Sequence, residues 1–173
     1  MSRSASLHLQ SLTRVRYISG QLLSADDLDT EQQYHRDRAR LHHRLLHGTG
    51  VVAGLVVRTS GGQIVVAPGL ALDPSGDEIV IAAEHVIALP AKSDGLKAQH
   101  VVARYAETLA VPAPPTGTND DEPRFTRVVE GFAITLEAAA PPRGNISVTL
   151  ARLTWRSGKW RVDSRFKVKK VRR

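Results

Sequence analysis

Residues 17–57, YISGQLLSADDLDTEQQYHRDRARLHHRLLHGTGVVAGLVV, narrow the possible folds more than any other stretch of the chain. They read as a short entry strand, a capped and highly charged helix, and a glycine-punctuated exit into a buried strand. Ser24 is a good N-cap, and Asp27 stands three residues on, where a capping-box acid belongs. Asp26, Asp27, Asp29 and Glu31 fill the first turns, whereas Arg36, Arg38, Arg40 and Arg44 fill the later ones, a polarity that suits the helix dipole. Gly48 is placed to stop the helix. A single helix over residues 24–47 would span ~35 Å. It has no wide apolar stripe: Leu28, His35, Ala39, His42 and Leu46 form one row, and Tyr34, Leu41 and Leu45 a neighbouring one. A helix this polar lies across a surface or pairs with other copies.

From Val51 the pattern turns to strands, expected over residues 51–57, 63–67, 70–72, 78–81, 85–89, 99–105, 128–136 and 146–155. Asp73-Pro74-Ser75-Gly76 carries the residues of a type I turn. A two-residue Ser157-Gly158 loop would set Trp155 directly opposite Trp160, with residues 162–168 extending the final strand. Residues 111–123 and 138–144 read as loops. Strands at this spacing, with one convincing helix, indicate a mainly β fold of the α+β class, its body a β-sandwich or small barrel. Residues 1–50 would form an arm and helix for docking or oligomerisation, and residues 51–173 a β-rich body ending in a basic arm.

Charge is unevenly placed. Residues 143–173 hold 11 Lys and Arg against one acid, Asp163, so a net +7 overall leaves −3 for the other 142 residues. The high isoelectric point therefore belongs to one end and does not mark the whole chain as a nucleic-acid binder. Cysteine is absent, which removes disulfide and thiolate chemistry. No run reaches the roughly 20 apolar residues of a membrane span, and the first residues lack the apolar centre of a signal peptide. The expected location is the cytoplasm at synthesis, which leaves open a particle released later.

Candidate chemistry is sparse. His43 and His47 are one helical turn apart and could face one metal, with His35 and His42 on a neighbouring face. The run lacks HExxH, has no carboxylate fixed beside the pair, and places Arg40 and Arg44 where they would repel a cation, so packing histidines are expected and no metal or cofactor. Gly48-Thr49-Gly50-Val51-Val52-Ala53-Gly54 follows a helix and precedes a strand, the reverse of a phosphate loop. Gly54 is expected to relieve a bulge or close contact. No GxSxG or SxxK pattern occurs. The acids sit in helix starts, turns and loops, and none is expected in the buried setting that raises a pKa for acid–base work. The chain is therefore expected not to be an enzyme. Residues 165–173 hold six cations in nine and read as a solvated edge strand or docking arm, with phosphate neutralisation as the alternative.

Several motifs resemble a known group. Gly20-Gln21-Leu22-Leu23, Ala25-Asp26-Asp27-Leu28, Glu31-Gln32 with Tyr34-His35, and His43-Arg44-Leu45-Leu46-His47-Gly48 are similar to the opening of bacterial proteins found with phage-tail-like contractile injection systems. Residues 50–55 continue that similarity, residues 66–73 with 76–79 resemble the β-rich segments of baseplate and tail-fibre-type proteins, and the resemblance covers most of residues 17–155. It implies a non-enzymatic structural or assembly subunit at the baseplate, spike or fibre attachment, partnered by other particle subunits as a homo- or hetero-oligomer. The absence of a long region after residue 155 favours a small adaptor over a full-length fibre. Partner contact is expected from Leu28, Tyr34, Leu41, Leu45 and Leu46, with Arg36, Arg38, Arg40 and Arg44 steering an acidic partner. The rival readings are a nucleic-acid-binding module using residues 152–173 and a metal-dependent hydrolase using His35, His42, His43 and His47.

Overall fold

The computed structural model describes residues 11–90, 94–112, 125–142 and 144–172. In chain order it contains α1 (Ala25–His42), a π-helical turn (His43–His47), β1 (Gly50–Gly54), β2 (Val57–Ser60), β3 (Gln63–Val66), β4 (Gly69–Leu72), β5 (Glu78–Ile81), β6 (His85–Ala88), β7 (Ala98–Pro112), β8 (Phe125–Glu137), β9 (Val148–Arg156) and β10 (Lys159–Val162). Three antiparallel sheets, ordered β1-β4-β5, β2-β3-β6 and β10-β9-β7-β8, share one core. The fold is α+β with a mainly β body, and its sheet curls as a half-barrel.

Strand alternation builds that core. Ile64 and Val66 on β3, Ile79 and Ile81 on β5, Val101 and Ala103 on β7, and Leu150 and Leu153 on β9 all bury their side chains in one cluster. Full burial of one such aliphatic side chain contributes about 1.5–3 kcal/mol. The body is thus held by apolar packing, and β7 is its spine, paired with β9 over its first half and with β8 along almost its whole length.

Several boundaries differ from those expected. The entry segment of residues 11–23 contains no strand. The run expected as one strand over residues 51–57 breaks at Leu55, whose φ of 56° is left-handed and whose side chain is buried. The cause lies at Gly54, in register with Gly69: a Cβ on Gly54 would sit 2.1 Å from the Pro68 carbonyl oxygen. The backbones approach too closely for any side chain, and the chain must turn before it can pair again as β2. A bulge at Val52 accompanies the approach. β7 runs to Pro112, well past the expected end at residue 105, because β8 continues to pair with it. The expected loop over residues 111–123 lies mostly outside the described residues. The final hairpin forms as expected: Ser157 and Gly158 adopt φ of 50° and 74°, as a type I′ turn requires, and Trp160 faces Trp155.

The C-terminal arm does not extend the last strand. β10 ends at Val162, and Asp163 folds the chain back by accepting from the Arg165 N–H at 3.0 Å through its side chain and from the Phe166 N–H at 3.1 Å through its carbonyl. The arm then runs parallel to β1, where Val51 N–H donates to the Lys169 carbonyl at 2.8 Å and Val171 N–H donates to the Val51 carbonyl at 3.2 Å. Arg172 N–H reaches the His47 carbonyl at 2.9 Å, so the arm also ties down the helix exit. The Asp163 carboxyl is held below its ordinary value by Arg152 and by the Arg165 N–H. A depressed carboxylate contributes stability that is present above its unfolded pKa and lost as pH falls through the folded one. Asp163→Asn is therefore expected to be less stable than the parent near neutrality. In urea titrations at stepped pH, that gap should close once pH drops below the ordinary value of 3.8.

Candidate docking interface

The helix starts as its sequence dictates. Ser24 Oγ accepts from the Asp27 N–H, and Asp27 Oδ2 accepts from the Ser24 N–H at 2.9 Å, completing a capping box. The expected single α-helix changes character at His43: Gly48 N–H bonds the His43 carbonyl, five residues back, at 2.8 Å. This π turn widens the last turn before Gly48, whose φ of 70° ends the helix. No residue of α1 or of the π turn is fully buried.

What holds the helix is a polar clasp on the β4–β5 turn. Asp73, 1% exposed, organises that turn. Its Oδ1 accepts from the Ser75 N–H at 2.8 Å and the Asp77 N–H at 3.0 Å, and its carbonyl accepts from the Gly76 N–H at 3.1 Å. The turn presents Asp77 to Arg40, whose Nε donates to Oδ1 at 2.6 Å. It also presents the Gly76 carbonyl to His43, whose Nδ1 donates at 2.8 Å and therefore carries the proton. Gly76 itself touches the helix backbone: a Cβ there would lie 2.4 Å from the Arg40 carbonyl oxygen. Arg36 pairs with Glu107 of β7, which also accepts from the Tyr105 hydroxyl at 2.8 Å.

The electrostatics agree with this geometry. The Asp77 hydrogen bond raises the Arg40 pKa. The Tyr105 hydroxyl and then Arg36 hold Glu107 below the usual carboxylate range, while burial and the bond to Glu107 push Tyr105 up. Burial pushes Asp73 up, although backbone N–H donors oppose it. This corrects the expectation that no acid occupies such a setting. Asp73 Oδ1 is occupied by the turn, so the buried carboxyl serves architecture.

The nine residues expected to contact a partner divide accordingly. Arg36 and Arg40 are engaged within the chain. Arg38 donates to the Tyr34 hydroxyl at 3.0 Å, its own helix neighbour. Leu41 and Arg44 line a cleft of ≈ 710 Å³ with Leu12, Pro74 and Ile146. Leu28, Leu45 and Leu46 are exposed. Sequence reasoning missed the apolar entry arm: Tyr17, Ile18, Leu22 and Leu23 are exposed too, Leu22 to 92%. They lack helical or strand periodicity, so only their apolar character could have marked them. It also missed Asp77, Glu107 and Tyr105 as the seat of the helix. The turn around Asp77 was readable, but its partner 37 residues earlier was not.

His42, His43 and His47 cluster with ring centroids 5.2–6.3 Å apart. His43 is occupied by the Gly76 carbonyl, and no group of three or more His, Asp or Glu suited to a metal occurs among the described residues. No helix among them is long and apolar enough to cross a membrane.

No family model and no curated protein sequence matches the chain. Solved structures do share its fold. A chain of the type VI secretion system TssK-TssF-TssG baseplate subcomplex is 16% identical with a TM-score of 0.58, over 91% of this chain and 62% of that one. A chain of the type VI baseplate complex gives 17% and 0.56, over 92% and 60%. TssK in its crystal structure gives 12% and 0.55, over 88% and 41%. The chain thus spans less than two thirds of the length of each of these proteins. At such identities the likeness is one of fold.

The clasp makes a direct prediction. Gly76→Ala adds a methyl group against the Arg40 backbone at a φ of 92°. It should cost about 2 kcal/mol in urea unfolding. Circular dichroism should show the sheet signal kept while helix signal is lost first.

Proposed function

We propose that this chain is a non-enzymatic assembly subunit of a contractile injection system, of baseplate type, that joins its neighbours through the entry arm and the outward side of α1. The observation that carries the reading is the helix itself. It is seated chiefly by polar contacts and buries no side chain fully, while Ile18, Leu22, Leu23, Leu28, Leu45 and Leu46 stand in solvent around it. Large apolar side chains left in solvent in this number along one arm and helix are what a partner surface covers. A helix of 18 residues without a buried face is also marginal by itself, so a partner surface completes it.

The fold shared with type VI baseplate components supports the particle class. By analogy with the TssK-TssF-TssG subcomplex, the partners are other baseplate subunits, and attachment near the spike or fibre is the finer reading. Steering of an acidic partner falls to Arg38 and Arg44, since Arg36 and Arg40 already hold acids of the chain itself.

The test is co-expression and co-purification with sheath, tube and baseplate proteins of a contractile injection system from the source organism. The parent should elute with at least one of them, and Leu22→Ser/Leu28→Ser/Leu46→Ser should fold normally yet lose the partner by tenfold or more. A parent that is monomeric by light scattering and captures no particle subunit contradicts the proposal.

A further inference from the structure

We propose that the outward face of the β9–β10 hairpin, with the turn that follows it, binds a phosphate group. The register sets Arg161 opposite Thr154 and Lys159 opposite Arg156. Residues directly opposite share a face, as do residues two apart on one strand, so these four side chains project together. Trp155 and Trp160 take the other face, where Trp160 is buried and the two rings meet at 5.3 Å. The cations are thereby turned outward, and Arg156, Lys159 and Arg161 are exposed. Arg165 joins them: Thr154, Arg156, Arg161 and Arg165 line one cleft of ≈ 200 Å³ with Asp163 and Ser164.

This arrangement is unfavourable without a ligand. Like charges directly opposite across a hairpin destabilise it, and Arg156 faces Lys159. Among the described residues, Arg156, Lys159, Arg161 and Arg165 form no salt bridge. The one acid in the cleft, Asp163, is already engaged by Arg152 at 2.7 Å and by the Arg165 N–H at 3.0 Å. Three guanidinium forks therefore line one small cleft whose single anion, Asp163, is hydrogen-bonded by Arg152 and feels Arg156 only through space. Guanidinium forks bind carboxylate and phosphate oxygens in pairs. A carboxylate offers two oxygens, whereas a phosphate group offers enough acceptors and charge for several forks at once, with the Thr154 hydroxyl as a further donor. The ligand is a phosphate group, either in a free phosphate compound or on a lipid headgroup, and the inference stands apart from the assembly reading.

Calorimetric titration of the full chain with inorganic pyrophosphate at low salt tests it. Binding of one equivalent is expected, weakening with added salt. It should drop about tenfold or more in Arg161→Gln and again in Arg161→Gln/Arg165→Gln. Arg127→Gln, exposed on β8, should bind as the parent does. Co-sedimentation with phosphatidate vesicles, competed by pyrophosphate, would assign the ligand to a lipid headgroup. Pyrophosphate binding without co-sedimentation would assign it to a free phosphate compound. Absence of saturable binding, or binding unchanged in the folded double variant, overturns the proposal.

Discussion

The ion pair between Arg40 and Asp77 is the contact on which the arrangement of this molecule depends. The β body holds itself together by burying aliphatic side chains, but α1 buries none. Its position rests on a turn whose shape is set by one buried carboxyl, Asp73, and whose outer rim offers a carboxylate to Arg40 and a carbonyl to His43. Such contacts are directional, and they fix one side of the helix while asking nothing of the other. A helix seated by apolar packing would have turned its leucines inward. This one leaves Leu28 outside, as the π turn leaves Leu45 and Leu46, and only Leu41 meets apolar neighbours across a cleft.

The C-terminal arm and the helix exit converge on the same region. The C-terminal arm bonds β1 and then the His47 carbonyl, so the residues after Val162 brace the π turn through which the helix enters the sheet. Gly50 permits this, since a Cβ there would lie 2.4 Å from the Lys169 carbonyl oxygen. The basic end therefore has a structural part in placing the helix, beyond its charge.

Much of this was legible in the sequence. Ser24 with Asp27, Gly48, the Asp73–Gly76 turn and the Ser157-Gly158 hairpin are local devices, decided by residues within a few positions of one another, and they form as read. Most of the misses are contacts between distant segments. The break at Leu55 is imposed by Gly69, the length of β7 by its pairing with β8, and the course of the arm by β1. The arginines on the helix showed a favourable dipole, but nothing in their spacing could reveal that Arg36 and Arg40 have acids waiting on β7 and the β4–β5 turn. Of the candidate site, the helix leucines were readable from their rows. The entry arm was not, because it has no period.

The most direct test of this account is hydrogen exchange across α1 in Asp77→Ala. If a polar clasp seats the helix, amides over residues 36–47 should exchange far faster than in the parent, while those of β7 and β9 keep their protection. Unchanged protection of the helix in that variant would contradict the account, since something other than the clasp would then be holding it.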